Sequence, residues 1–441
     1  RGLNMRVLPL LLSLLLLLLA PGARAADDDG DTLVTDKYRL GEGLQFSTTR
    51  GHQLRLFTYM QPLMEVRDYT QRGGDWLTRF RMRRLRLRVQ GSSPRDRVAF
   101  RFQFDLAGAN EVDTVENNFL LDGYVEFKPT KTLNIAFGQR ATYTDNRELF
   151  MLSHTLQLPE RSRLTSAFAA IREFGLFVRD RIRIGQSQHY LKPYVVITNG
   201  DGPNAFGNDF GGLKYGARLD YLPFGLFSRF GQFRQADLVR EATPRLVVGA
   251  LYSYNQGVSS RRGRASGDIL YLDANDEPAL PDFQKVGVDF LFKYKGFSMI
   301  GEWNRTFASV PDTITQRVRN DGSVSETFIP SVEGLVRGRM MLGRGYNIQA
   351  GYVLPSNTSI DARYTRLVPD EDSFLNNGTF YNRETYVTGG VSQYYDALYG
   401  LKIQASLTYV DALEGSNDIR GQGFPIPGDE WIGRVITTLA L

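Results

Sequence analysis

The 441-residue sequence contains no cysteine, which excludes disulfides, thiolate metal sites and cysteine nucleophiles. Histidine is nearly as scarce. His52, His154 and His189 are the only three, too scattered to suggest a metal cluster or a triad. His154, between Ser153 and Thr155, is the sole candidate dyad, and sequence neighbours rarely meet in hydrogen-bonding geometry. No catalytic residue, metal or cofactor is expected. Lysine is short too: nine lysines among 53 basic residues leave 44 arginines. Codon bias can favour arginine over lysine, but it does not decide where along a strand the arginines fall. Beyond the N-terminus, no segment approaches the ~18 uninterrupted apolar residues of a helical membrane span.

The N-terminal stretch carries its own signature. Arg1 and Arg6 precede a short apolar run, Val7 to Ala20, and the small-x-small pattern Ala23-Arg24-Ala25 follows. This describes a secretory signal peptide over residues 1–25. Residues 26–441 then form a single domain, with 26–42, including the acidic Asp27–Asp31 run, as a short disordered lead-in. Formal net charge is +5, which could suit nucleic acid or an anionic solute, and the export signal disfavours nucleic acid.

What the sequence does contain is alternation. In VAFRFQFDL, Val98, Phe100, Phe102, Phe104 and Leu106 share one parity, with Arg101, Gln103 and Asp105 on the other. KVGVDFLFKYK and LKIQASLTY repeat the pattern at 285–295 and 401–409. A soluble sandwich would alternate in the same way. The connections discriminate better: short turns alternate with long loops, the asymmetry of an outer-membrane barrel. The fold class predicted is therefore all-β, a transmembrane antiparallel β-barrel of 16 strands (alternative 18). Residues 334–343 are assigned to a long loop, because counting them as a strand breaks the long/short order. Leu222–Arg245 is long where a short turn is due, so an insertion or an error in the strand count lies there.

The run TRFRMRRLRLRV, residues 78–89, is half arginine. Arg79, Arg81 and Arg83 share one parity, and Arg84, Arg86 and Arg88 the other. The apolar series Phe80, Met82, then Leu85, Leu87, Val89 breaks at the same place. A β-bulge at Arg83-Arg84, where two residues oppose one, reconciles both series. All the arginines then face the lumen, avoiding about 2–4 kcal/mol for each one placed toward lipid near the midplane. Arg97 and Arg101 are placed on the lumen face of the next strand, Arg179, Arg181 and Arg183 on a later one, and Lys214 with Arg218 on another. Stacked guanidinium groups along a pore wall attract anions and bind oxyanions through their planar forks. The alternative is ordinary pairing with lumen carboxylates such as Asp105, Asp122, Glu126, Glu173 and Asp220. The long loop 140–170, third on its side, is expected to fold into the lumen and offer Arg140, Arg147, Arg161 and Arg163 at a constriction.

Five stretches, in order, resemble the phosphate-selective porin family (O and P type) of the bacterial outer membrane. They are FRMRRLRLRVQG with FRFQFDL; LPERSRLTSAF leading into REFGLFV; VVITNGDGPN; GGLKYGARLDYLPFG; and NIQAGYVLPSNTSIDARYTRLVPDEDSF, continued by ETYVTGGVSQYYDALYGLKIQASLTYV. The resemblance implies a sixteen-stranded homotrimeric channel in outer-membrane lipid, with an arginine ladder and a cationic constriction passing phosphate-like anions. Family members place lysine at the constriction; none lies in this third loop.

Overall fold

The computed structural model describes residues 32–35, 38–68, 76–107, 119–200, 202–203, 211–258, 270–319, 322–376, 383–396, 398–412 and 429–441. Residues 1–25, expected from sequence to be a signal peptide, lie outside the described residues.

Sixteen strands close into one antiparallel barrel. β1 (Gln53–Asp68), β2 (Trp76–Ser92), β3 (Val98–Asp105) and β4 (Leu120–Phe127) open the series. β5 (Asn134–Ala141), β6 (Arg172–Arg179), β7 (Tyr190–Thr198) and β8 (Lys214–Leu222) follow. Next come β9 (Arg245–Asn255), β10 (Asp282–Tyr294), β11 (Phe297–Ser309) and β12 (Gly343–Val353). β13 (Thr358–Pro369), β14 (Arg383–Tyr394), β15 (Leu401–Ala412) and β16 (Glu430–Ala440) complete the wall. Each pairs with its sequence neighbour, and β16 returns to β1 from Trp431 opposite Asp68 to Ala440 opposite Tyr59. Closure leaves no unpaired edge, the condition for strands to cross lipid.

The sidedness is that of a membrane barrel, not of a soluble sandwich. On β10 the apolar Val288 is 48% exposed while Lys285, on the opposite face, is 1% exposed. β3 and β15 behave alike: Phe102 and Leu407 are exposed, Gln103 and Gln404 buried. Polar residues inside and apolar residues outside minimise free energy only where the outer solvent is hydrocarbon.

The bulge lies in β2. Gln61 pairs with Arg84 and Pro62 with Met82, so Arg83 is the extra residue. Phe80, on the outward face, is 77% exposed, and Arg83 and Arg84 are both buried. Residues 334–342 belong to a loop and Gly343 opens β12; α3 (Val332–Arg337) forms in that loop, after two short helices, α1 (Arg147–Phe150) and α2 (Arg163–Phe168), in the third long loop.

One expectation needs correction, and one open alternative is decided. The lead-in 26–42 is seated against the barrel in its described part: Gly41 N donates to Ala440 O at 2.9 Å, and Leu33–Thr35 pairs with Phe46–Thr48. The long connection after β8 is an insertion, one of the two alternatives, and not a counting error. Residues 223–244 fold inward across the end of the barrel that carries the short turns, hereafter the turn side. Lys293 Nζ donates to Gly231 O and Ala236 O at 3.0 and 2.9 Å, and Tyr399 Oη donates to Ala236 O at 2.8 Å.

Candidate functional site: an arginine-rich cavity beside an inward loop

The loop between β5 and β6 reaches residues on the inward faces of the far wall. Arg147, at the start of α1, donates from Nε to Asp289 Oδ1 and from Nη2 to Asp220 Oδ1, each at 2.8 Å. Arg218 binds the same two carboxylates at 2.8 and 2.6 Å. Two guanidinium groups thus face two carboxylates in a buried, charge-balanced quartet. Gly249 sits beneath it; a Cβ there would lie 2.2 Å from Arg218 Nη2 and 2.5 Å from Asp220 Oδ1. Lys285 pairs with Asp145, whose carboxylate also accepts from the backbone of Ala170 and Ile171. Further along, Gln157 Nε2 donates to Ser298 Oγ at 2.9 Å. At the loop's other edge, Glu160 accepts from both bulge arginines: Arg83 by a bidentate pair, and Arg84 Nη2 at 2.7 Å.

Held this way, the loop leaves an off-centre cavity of about 960 Å³ against the inward faces of β1 to β6. Its lining includes ten cations and four carboxylates, an excess of six positive charges. Arg86 donates to Asp105 Oδ2 at 2.8 Å and to Tyr59 Oη at 3.0 Å. Arg88 binds Gln103 Oε1 at 2.8 Å and lies 5.5 Å from the Phe57 ring. Arg140 stacks over Tyr124 and Tyr143, at 4.5 and 4.9 Å, and reaches Glu126 at 3.4 Å. Arg179 shares Glu126, Arg101 lies 5.7 Å from the Tyr124 ring, and Arg161 donates to Ser153 Oγ and Met151 O. A ring face beneath a guanidinium offsets part of the cost of taking it out of water.

The sixteen arginines singled out from sequence therefore divide. Arg86, Arg88, Arg101, Arg140, Arg161 and Arg179 line the cavity. Arg83 and Arg84 point inward but clamp Glu160. Arg147 and Arg218 are locked in the quartet. Arg79 is opposite Glu65 on β2 and exposed, Arg81 lies within electrostatic reach of Glu65 and Glu160, and Arg163 begins α2. Arg97 is corrected: it precedes β3 as an exposed residue of the turn, not of the lumen wall. Arg181 and Arg183 are exposed in the connection between β6 and β7, where Arg183 donates to Ser187 O and Gln186 O. Arg55, Arg172 and Arg234 line the cavity without having been singled out. Arg55 shares the inward parity of its strand with Phe57 and Tyr59, a signal available in sequence; Arg172 has the outward parity of Leu176 at the first position of its strand, and Arg234 sits on the inward segment 223–244, so neither had one.

The Ser153–His154 dyad does not form. Ser153 Oγ accepts from Arg86 and Arg161, while the His154 ring lies between Phe57 and Tyr59, 5.1 and 5.0 Å away. Burial, then the charges of Arg88, Lys402, Arg234 and Arg86, hold His154 well below the ordinary imidazole range.

The sequence matches the family model described as phosphate-selective porin O and P over residues 65–326, more than half of the chain. No curated protein matches. Among solved structures, outer-membrane expressed OmpT of Vibrio cholerae is similar at 10% identity and TM-score 0.48, over 92% of this chain and 100% of that one. The outer membrane channel DcaP of Acinetobacter baumannii gives 12% identity and TM-score 0.47, over 91% and 100%. OmpF of Salmonella typhi, in complex with daunomycin, gives 11% and 0.49, over 88% and 98%.

Proposed function

Because the chain belongs to the phosphate-selective porin O and P family, whose members are channels of the outer membrane, we propose that it is a diffusion channel for small anions, phosphate-type oxyanions among them. The observation that carries this reading is the excess of six positive charges in the cavity lining. In a narrow passage with low-dielectric walls, such an excess raises the local concentration of anions and repels cations. Arginine adds a fork matched to oxyanion geometry. As for other members of the family, the assembly is a homotrimer in outer-membrane lipid, and the protein is a channel, not an enzyme.

A second reading, a general-diffusion channel with anion preference and no phosphate selectivity, is favoured by the four carboxylates in the same wall and the absence of lysine from the loop. Planar-bilayer recording decides between them. Reversal potentials in a KCl gradient are expected to show chloride preference; potassium preference, or no conductance, as in a plugged structural barrel, overturns the anion-channel reading. Phosphate added at millimolar concentration should reduce the chloride current. No reduction leaves general diffusion.

A further inference from the structure

The turn-side end of the cavity differs in character from the rest. The inward segment 223–244 presents Phe230, Phe233 and Arg234 there, opposite Arg55 on β1 and Arg101 on β3. The segment is fixed in place by the bonds from Lys293 and Tyr399 and by Asp237 Oδ2, which accepts from Gly296 N at 2.8 Å. Phe230 is nonetheless 73% exposed. Its φ is 57° and that of Arg229 is 48°, two successive left-handed residues without glycine, a conformation that persists where the surroundings over-determine it and that clusters at ligand clamps. A large ring is therefore held out of the packed interior and toward the cavity.

The arginines beside it have capacity to spare. Among the described residues none of Arg55, Arg101 and Arg234 is ion-paired. Arg101 Nε and Arg234 Nη1 are buried without an acceptor. Arg55 Nε donates to a backbone carbonyl, Glu42 O, at 2.5 Å, and the group lies within electrostatic reach of the Glu42 carboxylate and of both other arginines. Buried donors without acceptors and like charges drawn together are each unfavourable, and a carboxylate placed among them relieves both.

We propose that this end of the cavity is a binding site for organic anions with an aromatic body, taking the carboxylate on Arg55, Arg101 and Arg234 and the ring against Phe230 and Phe233. The inference rests on the anion-channel reading and goes beyond it by naming the solute class. An inorganic oxyanion is hydrated on every side and gains nothing from a phenyl ring, whereas an aromatic carboxylate uses both halves of the site.

Benzoate and acetate, equal in charge and different in body, are the probes. In bilayers, benzoate added on the turn side should reduce the chloride current at concentrations at least several-fold below acetate and below phosphate. Isothermal titration of the detergent-solubilised protein gives a readout independent of conductance. Phe230→Gly keeps the left-handed backbone and removes the ring; it should weaken benzoate about five-fold, the size expected of one ring contact, and leave acetate unchanged. Arg234→Gln should weaken both. Equal action of benzoate and acetate, stronger action of phosphate, or unaltered benzoate affinity in Phe230→Gly overturns the proposal. Reversal potentials in KCl alone test the channel reading separately, so the two can fail independently.

Discussion

The arginines of the lumen fall into two populations with opposite physics. Arg147 and Arg218 are fully compensated by Asp220 and Asp289, and removing one partner leaves a buried charge alone, a loss of about 3–5 kcal/mol. Asp289→Asn is therefore expected to lower the temperature of the heat-induced mobility shift of the folded barrel; an unchanged midpoint would sink the role of the quartet as anchor. Arg86 and Arg88 face the cavity, and Arg88→Gln should lower chloride preference while leaving that midpoint within a few degrees. His154 supplies a pH prediction. Neutral when folded, it takes up a proton near pH 6.5 once unfolded. The unfolded state then binds more protons below that value, so stability falls as pH falls, by up to about 1.4 kcal/mol per unit. The midpoint should drop less between pH 7 and 5 in His154→Phe than in the parent; equal drops would argue against a neutral buried imidazole. Sequence could point to Arg147 and Arg218 as charged and inward, but not as mutually neutralised. Their shared partners lie up to 142 residues away, and nothing in local spacing announces such a meeting.

At the scale of elements, the bulge in β2 shows how one extra residue preserves a face. With a side-chain period of two, a single added residue flips everything beyond it; the bulge absorbs that flip, so that Leu85 and Leu87 stay outward and Arg86 and Arg88 inward. This was legible because two series, apolar and cationic, broke at one place. Why both Arg83 and Arg84 turn inward was not, since it depends on Glu160 arriving from the loop. Deleting Arg83 restores strict alternation and leaves Arg84 on Glu160. The deletion variant should fold to the same heat-stable barrel with noisier open-channel current. Failure to insert would mean the bulge does more than keep phase. The segment 223–244 was visible only as a length anomaly. Its inward course rests on Lys293, Gly296 and Tyr399, on three different strands or turns, and contacts of that range leave no periodic trace.

For the whole molecule, the loop and the inward segment pack against the β7–β15 side and push the passage toward β1–β6. The strand count, closure and sidedness follow from alternation and from the order of short and long connections, which any chain crossing hydrocarbon must obey. The off-centre passage follows from a network of buried polar contacts that no single strand encodes. That division has a consequence for ionic strength. The lining charges stand in water, where screening shortens their reach from about 10 Å at 0.1 M salt to about 3 Å at 1 M. The quartet behind the loop excludes the ions that do the screening. Concentrated electrolyte should therefore erase discrimination between chloride and potassium while leaving the bore of the channel, read from conductance scaled to bulk conductivity, where it was.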